Sequence, residues 1–122
     1  MARHNEVGSW GENLACDKLV AEGYAIVERN WRLGHFEVDI IAMKGNRIIF
    51  AEVKTRSNSD IDPLDSIDKR KIFRMATSAN AYIRFSKCNH EPQFDIFAIS
   101  GTPENYHIEH IADAFFPPLK SY

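Results

Sequence analysis

The sequence lacks several features that would place it directly in a familiar class. No apolar stretch follows residues 1–6, and no apolar run approaches the length of a membrane span, so neither a secretory signal nor a membrane helix is predicted. Only two cysteines occur, Cys16 and Cys88, and two isolated cysteines make neither a disulfide framework nor a zinc motif. These absences predict a protein that works in a reduced, cytoplasmic setting without contact with a membrane.

An excess of positive charge is also missing. Lys and Arg total 15 against 17 Asp and Glu, which gives a formal net charge of −2. Proteins that hold nucleic acid tightly are usually basic, because neutralising phosphates supplies much of the affinity. The overall charge therefore does not predict a nucleic-acid partner, although a local basic surface remains open.

Known catalytic and metal-binding signatures are scarce as well. The chain has no glycine loop of the phosphate-cradling kind, no nucleophile elbow and no recognisable Cys-His signature. His107 and His110 lie in a predicted strand, where their side chains would point to opposite faces, so a shared zinc ion is not expected.

The length and the hydrophobic pattern predict one α/β domain over residues 1–122. Apolar residues at helical spacing predict helices over residues 8–22, ended by Gly23, and over residues 67–85. Asp65, Ser66 and Asp68 compete as the N-cap of the second helix. The predicted strands are 24–32, 36–43, 47–56, 93–100 and 106–111, with a polar loop at 57–63. The order αβββαββ predicts a mixed sheet flanked by helices.

The second and third strands carry the chemistry. Gly45-Asn46 lies between two apolar segments and favours a two-residue turn, which would pair Lys44 with Arg47. Counting outward along an antiparallel ladder then sets Asp39 opposite Glu52. By the same count Glu37 falls opposite Lys54, so all four side chains share one face of the sheet.

Two opposed carboxylates repel each other unless a cation compensates. Mg²⁺ commonly binds one or two carboxylates together with waters and phosphate oxygens, and Mn²⁺ is the alternative ion. Such an ion polarises a phosphate and lowers the pKa of a bound water. Lys54 would orient that water or balance charge on the phosphate. A different interpretation stays open, in which Glu37 and Lys54 form an ordinary surface ion pair.

Positive charge is concentrated on the second helix, at Lys69, Arg70, Lys71 and Arg74. With Lys54 and Arg56 these side chains predict a track for nucleic-acid phosphates along one side of the domain. The predicted nucleic-acid contacts are Arg56, Arg70, Lys71 and Arg74. A solvated helix face is the equally open alternative.

Several short motifs, in this order and spacing, resemble one known family over nearly the whole chain. They are Gly11-Glu12, Gly23-Tyr24, Arg29-Asn30-Trp31-Arg32, Glu37-Val38-Asp39, Glu52-Val53-Lys54, Lys71 through Met75, Phe94-Asp95-Ile96 and Ile108 through Phe115. The family is the YraN-like group of uncharacterised bacterial proteins, which are predicted endonucleases distantly similar to archaeal Holliday junction resolvases.

The resemblance implies a restriction-endonuclease-like fold of the PD-(D/E)XK superfamily and Mg²⁺-dependent cleavage of nucleic acid. It implies that Asp39 and Glu52 ligate the metal and that Lys54 is the catalytic lysine. It further implies metal contacts from Glu12 and from the backbone carbonyl of Val53.

The sequence departs from the family pattern at two positions. Phe36 stands where the family usually has Gly, and Gln93 stands where it usually has Arg. Phe36 is expected to crowd the approach to the site, and Gln93 is expected to weaken phosphate binding.

Three functions follow from these observations. The first is a metal-dependent endonuclease that acts on DNA, including branched or structured DNA, with a homodimer expected only by analogy with resolvases. The second is a non-catalytic nucleic-acid-binding module on a nuclease scaffold, since a fold does not fix a function. The third is a protein-interaction adaptor that binds no nucleic acid.

Overall fold

A computed structural model of the chain describes residues 2–57 and 68–115. It contains two helices and five strands in one mixed sheet. Their bounds are α1 Ala2–Ala21, β1 Ala25–Leu33, β2 Phe36–Lys44, β3 Arg47–Arg56, α2 Lys69–Ser86, β4 Glu91–Thr102 and β5 Asn105–Ile111. The predicted α/β class and the predicted order αβββαββ are both confirmed. None of the helices in the described ranges combines the length and the apolar character needed to cross a membrane.

The strands lie in the sheet in their sequence order, from β1 to β5. All neighbours are antiparallel except β3 and β4, which run parallel and are joined through the segment that contains α2. Lys44 pairs with Arg47 across the Gly45-Asn46 turn, as the sequence predicts, and Gly45 has a positive φ of 58°. The turn therefore fixes the register of β2 against β3. This register determines which side chains meet at the ends of the two strands that lie opposite the turn, near Asp39 and Glu52.

Two helices cover the two faces of the sheet. On one face, Ala15 and Leu19 of α1 pack against Ile40, Ile49 and Phe97. On the other face, Met75, Ala79 and Tyr82 of α2 pack against Ile41 and Phe50. Alternating residues of β2 and β3 thus enter two different cores, because successive side chains of a strand point to opposite faces.

The start of α2 is fixed by a cap. The side chain of Asp68 accepts a hydrogen bond of 2.8 Å from the backbone N–H of Lys71. This contact selects Asp68 among the three predicted N-cap candidates; Asp65, Ser66 and the predicted loop beyond Ser57 lie outside the described residues. The cap holds Lys71 and Arg74 at the first turns of the helix, above the carboxyl end of β3.

Candidate metal and phosphate site

The paired strands β2 and β3 separate at one end, and this separation creates the candidate site. Their ladder runs from Lys44↔Arg47 as far as Ile40↔Ala51. Beyond it, the backbone N–H of Val53 donates a hydrogen bond of 2.9 Å to Oδ2 of Asp39. A side-chain carboxylate thus takes the role of a strand partner, which holds Asp39 in a fixed orientation.

A pocket of about 200 Å³ opens where the strands separate. It lies on the α2 face, and its lining includes both predicted metal-binding carboxylates. The lining residues are Glu37, Val38, Asp39, Phe50, Ala51, Glu52, Arg74 and Met75.

Asp39 lies in an unfavourable place for a charged carboxylate. Burial is the main cause that raises its pKa, to about 6 from an ordinary value of 3.8. The negative charges of Glu52, Glu12 and Glu37 raise it further, while the hydrogen bond from Val53 acts in the opposite direction. Three neighbouring carboxylates thus disfavour the charge of Asp39, and a cation that entered the pocket would offset their effect.

Glu52 is bound by two cations of α2. Its Oε2 lies 2.5 Å from Nζ of Lys71, and its Oε1 accepts a hydrogen bond of 3.1 Å from Nη2 of Arg74. The side chains of Lys71 and Glu52 are only 10% and 16% exposed, whereas that of Arg74 is 46% exposed. The contact with Lys71 is therefore the better shielded of the two, and it is less weakened by solvent.

Lys54 adds a third cation next to Lys71. Burial and the positive charges of Lys71 and Arg56 lower the pKa of Lys54, and the charge of Glu52 partly offsets them. Two ammonium groups so close together form a strongly electropositive spot. Such a spot favours a phosphate oxygen as its ligand.

Glu12 approaches from α1, which covers the opposite face of the sheet. Its Oε1 accepts hydrogen bonds from Asn30 at 3.1 Å and from Arg29 at 3.4 Å. Its charge still contributes to the raised pKa of Asp39. Glu12 is thus held at the margin of the acidic cluster by polar partners of β1.

The four side chains predicted to contact nucleic acid differ in whether they reach the pocket. Lys71 and Arg74 reach Glu52, as described above. Arg56 is exposed at the end of β3, where its guanidinium donates a hydrogen bond to the carbonyl of Thr55. Arg70 is exposed on the first turn of α2 and belongs to no ion pair within the described residues. The structure thus brings Lys71 and Arg74 to Glu52 and leaves Arg56 and Arg70 exposed, with no ion pair to the carboxylates of the pocket among the described residues.

The predicted pairing of Glu37 with Lys54 is wrong. Glu37 pairs instead with Arg32, at 3.6 Å, because these two residues face each other across β1 and β2. The β2–β3 ladder has already ended at Ile40, so no strand contact holds Glu37 opposite Lys54.

Neither residue that departs from the family pattern lines the acidic pocket. Gln93 is buried at the beginning of β4, beside Ile49, where it accepts a hydrogen bond from Arg47 and donates one to Asp95. Gln93 thus has no hydrogen bond to Glu52 or Lys54, and its expected weakening of phosphate binding stays a prediction. Phe36 lines a separate open groove between the β1–β2 turn and α2.

The residues fit a divalent ion only as a two-carboxylate site. Within residues 2–57 and 68–115, no three His, Cys, Asp or Glu side chains are grouped closely enough to hold a metal. Mg²⁺ does not need three, because waters and substrate phosphate oxygens complete its coordination. Asp39 and Glu52, two carboxylates on one pocket wall, satisfy that lower requirement.

The contact between Lys71 and Glu52 was not predicted from the sequence. Lys71 occurs in the buried stripe of α2 together with Met75, Ser78, Ala79 and Tyr82. A lysine at a core-facing position of an amphipathic helix is a signal of a buried ion pair. The sequence could therefore have predicted that Lys71 belongs to the buried face of α2. It could not have predicted that Glu52 is the partner of Lys71.

The comparisons with known proteins agree on one family. Residues 11–99 match the sequence model of the uncharacterised protein family UPF0102. A UPF0102 protein of Bacteroides thetaiotaomicron is 46% identical over 120 residues, covering 98% of this chain and 99% of that protein. A UPF0102 protein of Flavobacterium johnsoniae is 44% identical over 121 residues, covering 95% and 98%. A third, from Parabacteroides distasonis, is 40% identical over 121 residues, covering 98% and 100%.

Proposed function

This chain belongs to the uncharacterised protein family UPF0102, and we propose that it is a metal-dependent nuclease that hydrolyses phosphodiester bonds in DNA. The observation that supports the proposal most is the pocket at the open end of β2 and β3. The carboxylates of Asp39 and Glu52 line this pocket together with Arg74, and Lys71 forms an ion pair with Glu52. Lys54 lies close enough for the charges of Lys71 and Glu52 to shift its pKa.

The carboxylates supply the ligands for a divalent ion. Asp39 is oriented by the Val53 N–H, and the backbone carbonyl of Val53 is a further proposed ligand. Glu12, which Arg29 and Asn30 hold outside the lining of the pocket, would add its negative charge and not a metal contact. When bound, such an ion polarises a phosphate and lowers the pKa of water. The raised pKa of Asp39 means that this carboxylate gains more than an exposed one from a nearby positive charge.

The cations supply the contacts to the substrate. Lys54 and Lys71 would hold nonbridging phosphate oxygens and stabilise the charge that develops on them during attack by water. The lowered pKa of Lys54 also suits a group that orients water by donating or accepting a proton. Arg56, Arg70 and Arg74 would contact flanking phosphates, which orient the strand without reading its sequence.

DNA, including branched or structured DNA, is the proposed substrate because of the resemblance to junction resolvases. The geometry of the pocket supports a phosphodiester substrate in general and does not by itself select DNA. An acidic pair beside a cluster of cations suits a ligand that brings both a metal and a phosphate.

A non-catalytic nucleic-acid-binding module is the second candidate. It is favoured by the fact that both oxygens of Glu52 are already engaged by Lys71 and Arg74. In that case the ion pairs would be permanent, and the protein would bind nucleic acid without cleaving it.

Cleavage by the purified protein separates the two candidates. Single-stranded, duplex, flapped and four-way-junction DNA are incubated with Mg²⁺, with Mn²⁺ or with EDTA, beside the Glu52→Ala variant. A nuclease cuts at least one substrate with metal and none with EDTA, and the variant loses the cutting. Binding without cutting by the wild type under all metal conditions would support the module and contradict the nuclease.

A further inference from the structure

An open apolar groove of about 640 Å³ runs beside the acidic pocket. Its walls are the β1–β2 turn, with Leu33 and Phe36, and the outer face of α2, with Phe73 and Phe85. These four residues are among only seven exposed large hydrophobic side chains in the described part of the chain. Phe73 and Phe85 are the most exposed of the seven, at 64% and 63%. A cluster of exposed apolar side chains of this kind is typical of a binding surface.

The groove continues the candidate site. Phe36 directly precedes Glu37, and Phe73 directly precedes Arg74, and both of these neighbours line the acidic pocket. The pocket and the groove share no lining residue, but both are bordered by β2 and α2, so one extended ligand is long enough to contact both. From Phe73 to Phe85 the helix spans about 18 Å, which is the length of about five stacked nucleotides of one strand.

The charge of the groove identifies the kind of ligand. Arg84 is its only charged residue among those described, and no carboxylate lines it. Flat apolar rings next to a guanidinium match unpaired bases with their phosphates, because every base offers a π face and Arg binds phosphate. A second copy of the chain fits less well, because a two-fold interface would bring the same uncompensated Arg84 from both copies into one apolar patch.

We propose that this groove binds an unpaired, single-stranded segment of the nucleic-acid substrate, with Phe73 and Phe85 stacking against bases and Arg84 contacting a phosphate. This inference rests on the proposed nuclease function and narrows its substrate to nucleic acid with a single-stranded arm, such as a flap or a frayed junction. Duplex DNA presents no free base faces and would contact only exposed basic side chains such as Arg56, Arg70 and Arg74.

The test is metal-free binding, measured by fluorescence anisotropy in EDTA so that no cleavage intervenes. The probes are a labelled single strand of about 15 nucleotides and a blunt duplex of the same length. Phe73→Ala, Phe85→Ala and Arg84→Gln are compared with the wild type. Tyr106→Ala is the matched control, since Tyr106 is an exposed aromatic residue on β5, outside the groove.

The proposal predicts that the wild type binds the single strand and that Phe73→Ala weakens this binding about tenfold, with a smaller effect on the duplex. Arg84→Gln should reduce the salt dependence of binding, and Tyr106→Ala should behave as the wild type. Unchanged single-strand affinity in both Phe variants would overturn the proposal. So would wild-type protein that binds neither probe, or a dimer in sedimentation that Phe73→Ala dissociates without affecting the single strand.

The outcomes remain separable from those of the nuclease proposal. Stacking that is lost in Phe73→Ala, in a protein that never cuts, supports the groove and contradicts the nuclease. Metal-dependent cutting by a protein whose single-strand binding is unaltered in Phe73→Ala supports the nuclease and contradicts the groove.

Discussion

The ammonium of Lys71 lies 2.5 Å from a carboxylate oxygen of Glu52, one of the residues that line the acidic pocket. Arg74 engages the other oxygen of the same carboxylate. In the absence of a divalent ion these cations provide the charge that Glu52 requires. If Glu52 held a divalent ion, part of this interaction would be replaced, and Lys71 would become available to a phosphate.

Replacing Lys71 should separate stability from metal affinity. In Lys71→Met, Glu52 loses its best-shielded partner, so metal-free stability should fall by about 1–3 kcal/mol. The same change removes the competitor for Glu52, so the Mn²⁺ dissociation constant from calorimetric titration should fall about tenfold. Arg70→Met removes the same charge from an exposed position on the same helix. Equal tightening in both variants would show a general electrostatic effect and contradict the competition.

Asp39 should make metal-free stability depend on pH. Its folded pKa of about 6 lies above its ordinary value of 3.8, so the folded protein binds the extra proton between these values. Its contribution is therefore most favourable at low pH and is lost as pH rises through about 6, because the charged form is poorly solvated. The difference between the pKa values corresponds to about 3 kcal/mol.

Asp39→Asn, which keeps an acceptor for the Val53 N–H, should remove this penalty. We expect the variant to be more stable than the wild type by up to about 3 kcal/mol at pH 7.5, and this advantage should vanish near pH 4. Urea unfolding in EDTA at both pH values measures it. An equal difference in stability at both pH values would rule out Asp39 as the titrating group.

Lys54 should act on the reaction rather than on the metal. Lys54→Ala removes a cation that is positioned for the phosphate, so kcat should fall by about 10²- to 10³-fold. The rise in melting temperature caused by Mn²⁺ should stay close to that of the wild type. A variant that loses the Mn²⁺ effect as well would instead assign Lys54 to the integrity of the pocket.

Gly11 should be required for the close packing of α1 on β3. A Cβ at this position would lie only 2.3 Å from Oγ1 of Thr55, which is shorter than any normal contact. Gly11→Ala should therefore cost about 1–3 kcal/mol of stability. Thr55→Ala, which removes the clashing oxygen, should restore part of the loss in the double variant, as chemical unfolding of all four proteins would measure.

The same packing positions Glu12, the residue that follows Gly11. If α1 is held away from the sheet, the contacts of Glu12 with Arg29 and Asn30 should weaken. If the losses of stability caused by Gly11→Ala and Thr55→Ala simply add in the double variant, the clash is not with Thr55. The loss in Gly11→Ala would then come from another contact, for example with Ile99.

The local parts of the fold could be predicted because local chemistry determines them. The Gly45-Asn46 turn fixes the register of β2 and β3, and Asp68 caps α2. The true beginning of α1 could not be predicted, since residues 2–7 carry no apolar stripe of helical spacing. The parallel pairing of β3 with β4 depends on contacts between distant residues, which no local pattern encodes.

The candidate site could be predicted only in part for the same reason. Asp39 and Glu52 follow from strand periodicity and one turn. The partner of Glu37 is Arg32, however, and that register follows a β-bulge between Ile26 and Glu28 that leaves no clear sequence signal. The partners of Glu52 come from α2, whose position over the sheet is a tertiary property.

The most direct test of the account is the cleavage rate of three matched amide variants in Mg²⁺. Asp39→Asn and Glu52→Gln each remove one proposed ligand with little change in size. Glu91→Gln makes the same change at an exposed position of β4, which pairs with Arg47 at the opposite end of β3 from the pocket. We expect the first two to lose metal-dependent cleavage and Glu91→Gln to cut as the wild type does. Cleavage that persists in both Asp39→Asn and Glu52→Gln would contradict a metal site at this pocket.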